Sequence, residues 1–274
     1  MKSGFFTAAV VLVVLAGLLL VGVPTVRAQS AAPRGSVKVA SNVSIPLRIY
    51  REGNEVKGYE YEVYKEALRR AGYEVEVMDV AFAGIFPGLQ AEKWDMACSS
   101  IYITKERVKQ MDFTDPFYEG FEAAVAKKDS SVKSLKEFKG KTFGAQTGTS
   151  QAAWLASLQK DYGPFQIRGY QEDETLFNDL ETGRVDGLTT GFFSAVARIK
   201  NRPQFEIIAS NPDSFMIGCA VRTGHKLREE FNRGLNEMKK DGTMSKLYQK
   251  YFNAKPSEGS AVLKVLTQPY EPQK

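Results

Sequence analysis

The sequence predicts an α/β protein of two similar lobes joined by a two-strand hinge, and three observations lead there. Short apolar, strand-like runs alternate with amphipathic helical runs, the order that builds parallel sheets. A short pattern occurs twice, as Leu89-x-x-x-Lys93-Trp94-Asp95 and Leu180-x-x-x-Arg184-Val185-Asp186. Each copy reads helix, turn, basic residue, apolar residue, Asp, strand, which favours two related halves over one continuous sheet. Finally, two extended stretches, about 119–127 and 213–222, are placed to cross between the halves.

Taken in order, Val37 to Ala40 is a first strand. Leu47 to Tyr50 and Gly58-Tyr59 flank an Arg-Glu-Gly-Asn turn and read as a hairpin. Tyr61 to Ala71 has helical periodicity and stops at Gly72. Glu74 to Val80 is a second strand, Phe82 to Leu89 leads into a short helix, and Trp94 to Ser99 is a third strand. After the first crossing, Lys141 to Gln146 is a strand, Thr147 to Ser150 a tight turn and Gln151 to Tyr162 a helix. Phe165 to Tyr170, Glu174 to Glu181 and Val185 to Thr189 continue as strand, helix, strand. Phe215 to Arg222 returns, and Leu227 to Lys239 and Ser245 to Phe252 close the chain as helices around Asp241-Gly242. The lobes are thus expected at 36–119 plus 221–253 and at 122–212, with a polar, Pro-punctuated tail at 254–274 that is disordered or strapped to the surface.

The first 28 residues read as a secretory leader. Lys2 supplies the positive end, Phe5 to Val23 is almost wholly apolar, and Val26-Arg27-Ala28 supplies a cleavage site. The only cysteines, Cys98 and Cys219, lie far beyond the cleavage point, so no lipid anchor is expected and the mature chain belongs to a bacterial periplasm. Each cysteine sits inside an apolar run; two buried thiols are expected, with a bridge as the alternative. The formal charge of +5 falls to +3 when Lys2 and Arg27 leave. That mild excess is interleaved with acids, which reads as solvated helix faces and excludes a nucleic-acid surface. No zinc spacing exists, and the lone His225, in a Thr-Gly-His-Lys turn, is too isolated for catalysis, so no metal, cofactor or catalytic residue is assigned.

The stretch with chemistry in it is Ser99-Ser100-Ile101-Tyr102-Ile103-Thr104-Lys105-Glu106-Arg107, continuing to Asp112-Phe113-Thr114-Asp115-Pro116-Phe117-Tyr118. Thr104 stands as a helix N-cap, which puts Arg107 in the first turn, where free N–H groups and the helix dipole already carry positive potential. An anion would complete the arrangement, held by backbone donors, hydroxyls and a guanidinium fork. The plainer reading is an exposed arginine paired with Glu106 or Asp112. Thr149 and Ser150 offer a second donor-rich helix start, so both halves would grip one carboxylate only when they close. Asp95 and Asp186 are expected to fix backbone at strand starts, and Asp115-Pro116 to aim the chain at the hinge.

From about residue 36 to 253 the chain resembles the family-3 bacterial extracellular solute-binding proteins, the periplasmic receptors of polar amino-acid ABC importers. The resemblance rests on the 99–118 stretch, supported by Leu135-x-x-Phe-Lys-Gly-Lys, Gly148-Thr149-Ser150-Gln151 and Gly183-Arg184-Val185-Asp186-Gly187. It implies a type II periplasmic-binding-protein fold closing like a Venus flytrap, a monomeric receptor and an inner-membrane ABC permease as partner. It also implies site roles: Arg107 clamps the ligand carboxylate, Ser100 and the Tyr102 backbone assist, Thr149 and Ser150 add donors, and Phe82 supplies an aromatic wall. Where the family places an acid for an α-ammonium, this chain has Gly191; where it places a second aromatic wall and an acid near the first strand, it has Ser44 and Ser41. Either the ligand lacks an α-ammonium or another acid, such as Glu60, Glu119 or Glu122, reaches in. An accessory sensor on this fold, or an enzyme resembling cyclohexadienyl dehydratases, is the alternative to a transport receptor.

Overall fold

The computed structural model describes Met1 and residues 34–272; the leader read at 1–28 lies, Met1 apart, outside the described residues. The chain runs β1 (Ser36–Ser41), β2 (Ser44–Ile45), β3 (Ile49–Glu52), β4 (Glu55–Lys57), α1 (Tyr59–Arg70), β5 (Glu74–Asp79), α2 (Phe82–Gln90), β6 (Met96–Ala97) and the single turn α3 (Lys105–Val108). It continues through β7 (Asp112–Phe113), β8 (Tyr118–Gly120), β9 (Glu122–Lys127), β10 (Thr142–Gln146), α4 (Ser150–Tyr162), β11 (Gln166–Tyr170), α5 (Asp173–Glu181) and β12 (Gly187–Gly191). It ends with α6 (Phe192–Ile199), β13 (Phe205–Ser210), β14 (Phe215–Ile217), β15 (Ala220–Val221), α7 (Leu227–Lys240) and α8 (Thr243–Phe252).

Two five-stranded sheets result, ordered β5-β1-β6-β15-β7 and β11-β10-β12-β9-β13. In each, three parallel strands are followed by an antiparallel one, β15 beside β6 and β9 beside β12. The pair β8 and β14 forms a separate antiparallel ribbon where the chain leaves the first sheet and returns to it. Alternation along β1 explains the layering: Val37 and Val39 join Tyr64, Leu68, Phe231 and Met238 on one face, while Ala40 joins Ile85, Leu89 and Trp94 on the other. The second sheet is covered the same way, by Leu176, Phe177 and Leu180 on one side and Phe138, Leu155 and Phe165 on the other. Sheets buried on both faces are what parallel βαβ connections produce, with ligand crevices at the strands' carboxyl ends.

The echoed aspartates do the same work twice. Asp95 Oδ2 accepts from the Lys38 N–H at 2.9 Å and Asp186 Oδ2 from the Thr142 N–H at 2.8 Å, each tying a new strand to the first strand of its sheet. His225 is structural, its Nδ1 accepting from the Leu227 N–H at the start of α7.

Three features differ from expectation. Cys98 and Cys219 are not free thiols but a disulfide, with Cα atoms 4.5 Å apart. Both runs lead into the same patch of the first sheet, a proximity that a burial argument for each alone does not see. The stretch 192–213, which carries no sequence-assigned element, holds α6 and β13. The return strand is broken into β14 and β15. The tail is strapped down: Ala261 N–H donates to Glu119 at 3.0 Å, Lys239 Nζ donates to the Lys264 carbonyl at 2.7 Å, and Ala261 and Val262 are buried. Among the described residues no helix is long and apolar enough to cross a membrane.

Candidate functional site

A small cleft cavity of about 50 Å³ lies between the two sheets and is lined by residues from both, among them Phe82, Ser100, Arg107, Thr149, Ser150 and Gly191. Thr104 caps α3, its Oγ1 accepting from the Arg107 N–H at 3.4 Å. This turn aims the Arg107 guanidinium back over the strand end. Nη1 donates to the Tyr102 carbonyl at 2.8 Å and Nη2 reaches the Gly148 carbonyl, on the second sheet's side, at 3.3 Å. The guanidinium carbon stands 5.9 Å from the Phe82 ring centre and 5.0 Å from that of Phe86. Arg107 forms no ion pair among the described residues, although Glu106 is its neighbour. Burial lowers its pKa to about 10, so it stays charged at neutral pH while its solvation is poor.

Opposite, Thr149 caps α4 with its Oγ1 accepting from Ala152 N–H at 3.1 Å. The start of this thirteen-residue helix lies at the cavity, which Thr149, Ser150 and Gln151 line.

Not every residue singled out from sequence meets the cavity as expected. The Tyr102 side chain is buried against Phe215, stacked at 5.2 Å, and does not line it; its carbonyl instead positions Arg107. Ser44 does not line it either, because its hydroxyl turns to Asn42 and its carbonyl accepts from Arg198 at 3.1 Å. Ser100 does line it, at a φ of +51°. Its N–H and hydroxyl, however, both donate to the buried Glu60 carboxylate, and its Oγ accepts from Tyr118 at 2.9 Å. None of the acids considered as ammonium partners lines the cavity: Glu60 accepts from Ser100, Glu119 from Ala261, and Glu122 from Asn211 at 2.9 Å with the lining residue Ser150 also in reach.

Two charged residues of the site escape sequence reasoning. Arg48, 2% exposed, lines the cavity and donates from Nη2 to Ser194 Oγ at 3.1 Å. A side-chain carbon at Gly191 would lie 3.1 Å from that Nη2. The arginine therefore fills the space beside Gly191. Burial works against its charge, but Tyr118, Tyr102 and Glu60 around it hold its pKa above the ordinary value. Asp173 also lines the cavity, accepting from Thr190 Oγ1 at 3.1 Å and paired with Arg198 Nε at 3.5 Å; burial raises its pKa. Arg48 follows Ile45-Pro46-Leu47 in what reads as a surface hairpin; the Gly191 vacancy was the signal that something large fills that space. No group of three or more His, Cys, Asp or Glu side chains among the described residues could hold a metal.

Four hydrogen bonds span the cleft: Arg107 to Gly148, Arg48 to Ser194, Arg198 to the Ser44 carbonyl, and Asn42 Nδ2 to Glu172 at 3.0 Å. These bonds hold the two sheets together across the cleft.

The model of the bacterial extracellular solute-binding proteins, family 3, matches residues 37–254. The chain belongs to this family. Within it, the arginine-binding extracellular protein ArtP of Bacillus subtilis is 30% identical over 209 residues, covering 74% of this chain and 80% of that protein. ABC transporter arginine-binding protein 1 of Escherichia coli is 30% identical over 213 residues, 76% of this chain and 86% of that one. Among solved structures, an ancestral arginine-binding protein bound to arginine superposes with a TM-score of 0.75 at 35% identity, covering 80% of this chain and 99% of that one. An ancestral amino acid-binding protein described as a precursor of cyclohexadienyl dehydratase superposes at 0.71 with 27% identity, covering 80% and 96%. The two-sheet architecture of this family-3 protein is the type II periplasmic-binding-protein fold.

Proposed function

We propose that this family-3 protein is a periplasmic receptor that closes on a small carboxylate-bearing solute, an amino acid or related organic acid, and delivers it to an inner-membrane ABC permease. Residues 36–119 with 221–253, and 122–212, act as the two lobes, hinged where β8 pairs with β14. The observation that carries the reading is Arg107: half-buried, charged, without an acid partner, and aimed into a cavity that the N-terminus of α4 closes from the other lobe. A partly desolvated cation without an ion-pair partner is poorly compensated, and a ligand carboxylate relieves that cost while tying the lobes together.

The protein acts as a monomer without enzymatic turnover or nucleic-acid binding, exported through the 1–28 leader and carrying no lipid anchor. Support for the absence of turnover comes from Asp173, the acid that lines the cavity. Its carboxylate is paired with Arg198 and accepts from Thr190, which opposes protonation, although burial raises its pKa. The test is calorimetric titration of the purified mature chain with a panel of amino acids, organic acids and amines. Saturable one-to-one binding of a carboxylate is expected. Binding only of amines, or consumption of the bound acid, would overturn the reading.

A further inference from the structure

The end of the cavity at Gly191 is a donor site. Arg48 and Gln151 flank Gly191, and all three line the same cavity. A ligand ammonium brought to this spot would meet a second cation, the Arg48 guanidinium, which cannot accept a hydrogen bond from it. A ligand oxygen there would meet partners with protons to give.

The charges around the cavity agree. Glu60 and Asp173 lie close enough to Arg48 to interact with its charge, Arg198 faces Asp173, and Glu122 acts on Arg107 from a distance without pairing with it. The acid that lines the cavity is already shared between an arginine and a threonine hydroxyl, so an ammonium would compete with Arg198 for it.

Resting on the receptor reading above, we propose that the solute is an organic acid with a second oxygen function and no ammonium group: a 2-oxo, 2-hydroxy or dicarboxylic acid. Its carboxylate lies on Arg107 and its second oxygen on Arg48 and Gln151 at Gly191. Arg48 is the residue that sets this specificity. It selects an oxygen by donating to it and rejects an ammonium by repulsion, the two halves of a specific pocket.

The test is titration of the mature protein with matched sets: pyruvate, lactate and alanine; 2-oxoglutarate, 2-hydroxyglutarate and glutamate; succinate, malate and aspartate. At least one ammonium-free acid is expected to bind roughly tenfold or more tighter than its amino counterpart. Gly191→Asp places a carboxylate beside Arg48 and occupies it, at a position of ordinary backbone conformation, and should weaken the preferred acid by at least about tenfold. Arg48→Gln combined with Gly191→Asp should reverse the preference toward amino acids. An amino acid that binds the unmodified protein as tightly as its oxo and hydroxy partners overturns this inference and leaves the receptor reading standing. If no acid of any class binds, the receptor reading itself falls.

Discussion

Replacing Arg107 removes a cation in the cleft that forms no ion pair among the described residues. In the structure its two terminal nitrogens touch only backbone carbonyls, of Tyr102 and Gly148, and its flat face rests near Phe82 and Phe86. A carboxylate seated on this fork makes two charge-assisted hydrogen bonds, each contributing about 1.5–3 kcal/mol. Their loss in Arg107→Ala, about 3–5 kcal/mol, corresponds to a Kd roughly 10²- to 10³-fold weaker. Arg107→Lys keeps a charge but loses the paired geometry, and a weakening of about tenfold is expected. Glu106→Ala serves as the control, because that side chain is exposed and bonds to nothing in the site. Calorimetry against the best acid from the panel reads all three, with the melting temperature of each unliganded variant checked first. If folded Arg107→Ala binds within about threefold of the unmodified protein, the clamp is elsewhere.

Other consequences test the fold beneath the site. The Cys98–Cys219 bridge closes a loop of 121 residues that contains the whole second sheet. Replacing both cysteines with alanine should cost about 2–5 kcal/mol in chemical denaturation while leaving ligand affinity intact; unchanged stability would mean that the bridge constrains little. Gly234 lets α7 approach α1 so closely that an added methyl would sit 2.2 Å from the Ala67 carbonyl oxygen. Gly234→Ala should therefore destabilise by about 1–3 kcal/mol or more, and a denaturation midpoint equal to that of the parent would contradict this packing. Asp241 holds the start of α8, and the Thr243 hydroxyl and N–H together with Arg70 lower its pKa to about 2. Its folded pKa lies below the unfolded value, so its contribution is present above about pH 4 and fades as pH falls toward 2. The stability gap between the parent and Asp241→Asn should close over that window; a gap that does not change with pH would assign the effect to something other than this charge.

The parts of the molecule that sequence made legible are those whose cause is local. Thr104 and Thr149 cap helices because a hydroxyl three positions before a free N–H can do little else, and both caps sit where the chain suggested. Asp95 and Asp186 announced their shared role by an echo a few residues long. Arg107 stood out because a cation in a first helical turn runs against the local field. What stayed hidden depends on residues remote in the chain. Arg48 is tolerated in the interior only because Tyr118, Glu60 and the space left by Gly191 converge on it. The Ser100 hydroxyl looked like a ligand donor until the fold brought Glu60 beneath it. Cys98 and Cys219 are each credible as buried thiols, and only the pairing of β15 with β6 makes them partners. The helix at 192–199 has no start signal in the sequence, because α6 begins with two phenylalanines directly after Gly191, without a side-chain cap.

The most direct measurement is a crystal structure of the mature protein with the tightest-binding acid of the panel. The expected density places one carboxylate against the Arg107 guanidinium and the α4 N-terminus at once, between the two sheets. An acid found outside that cleft, or inside it with Arg107 turned away to solvent, would contradict a receptor built around this arginine.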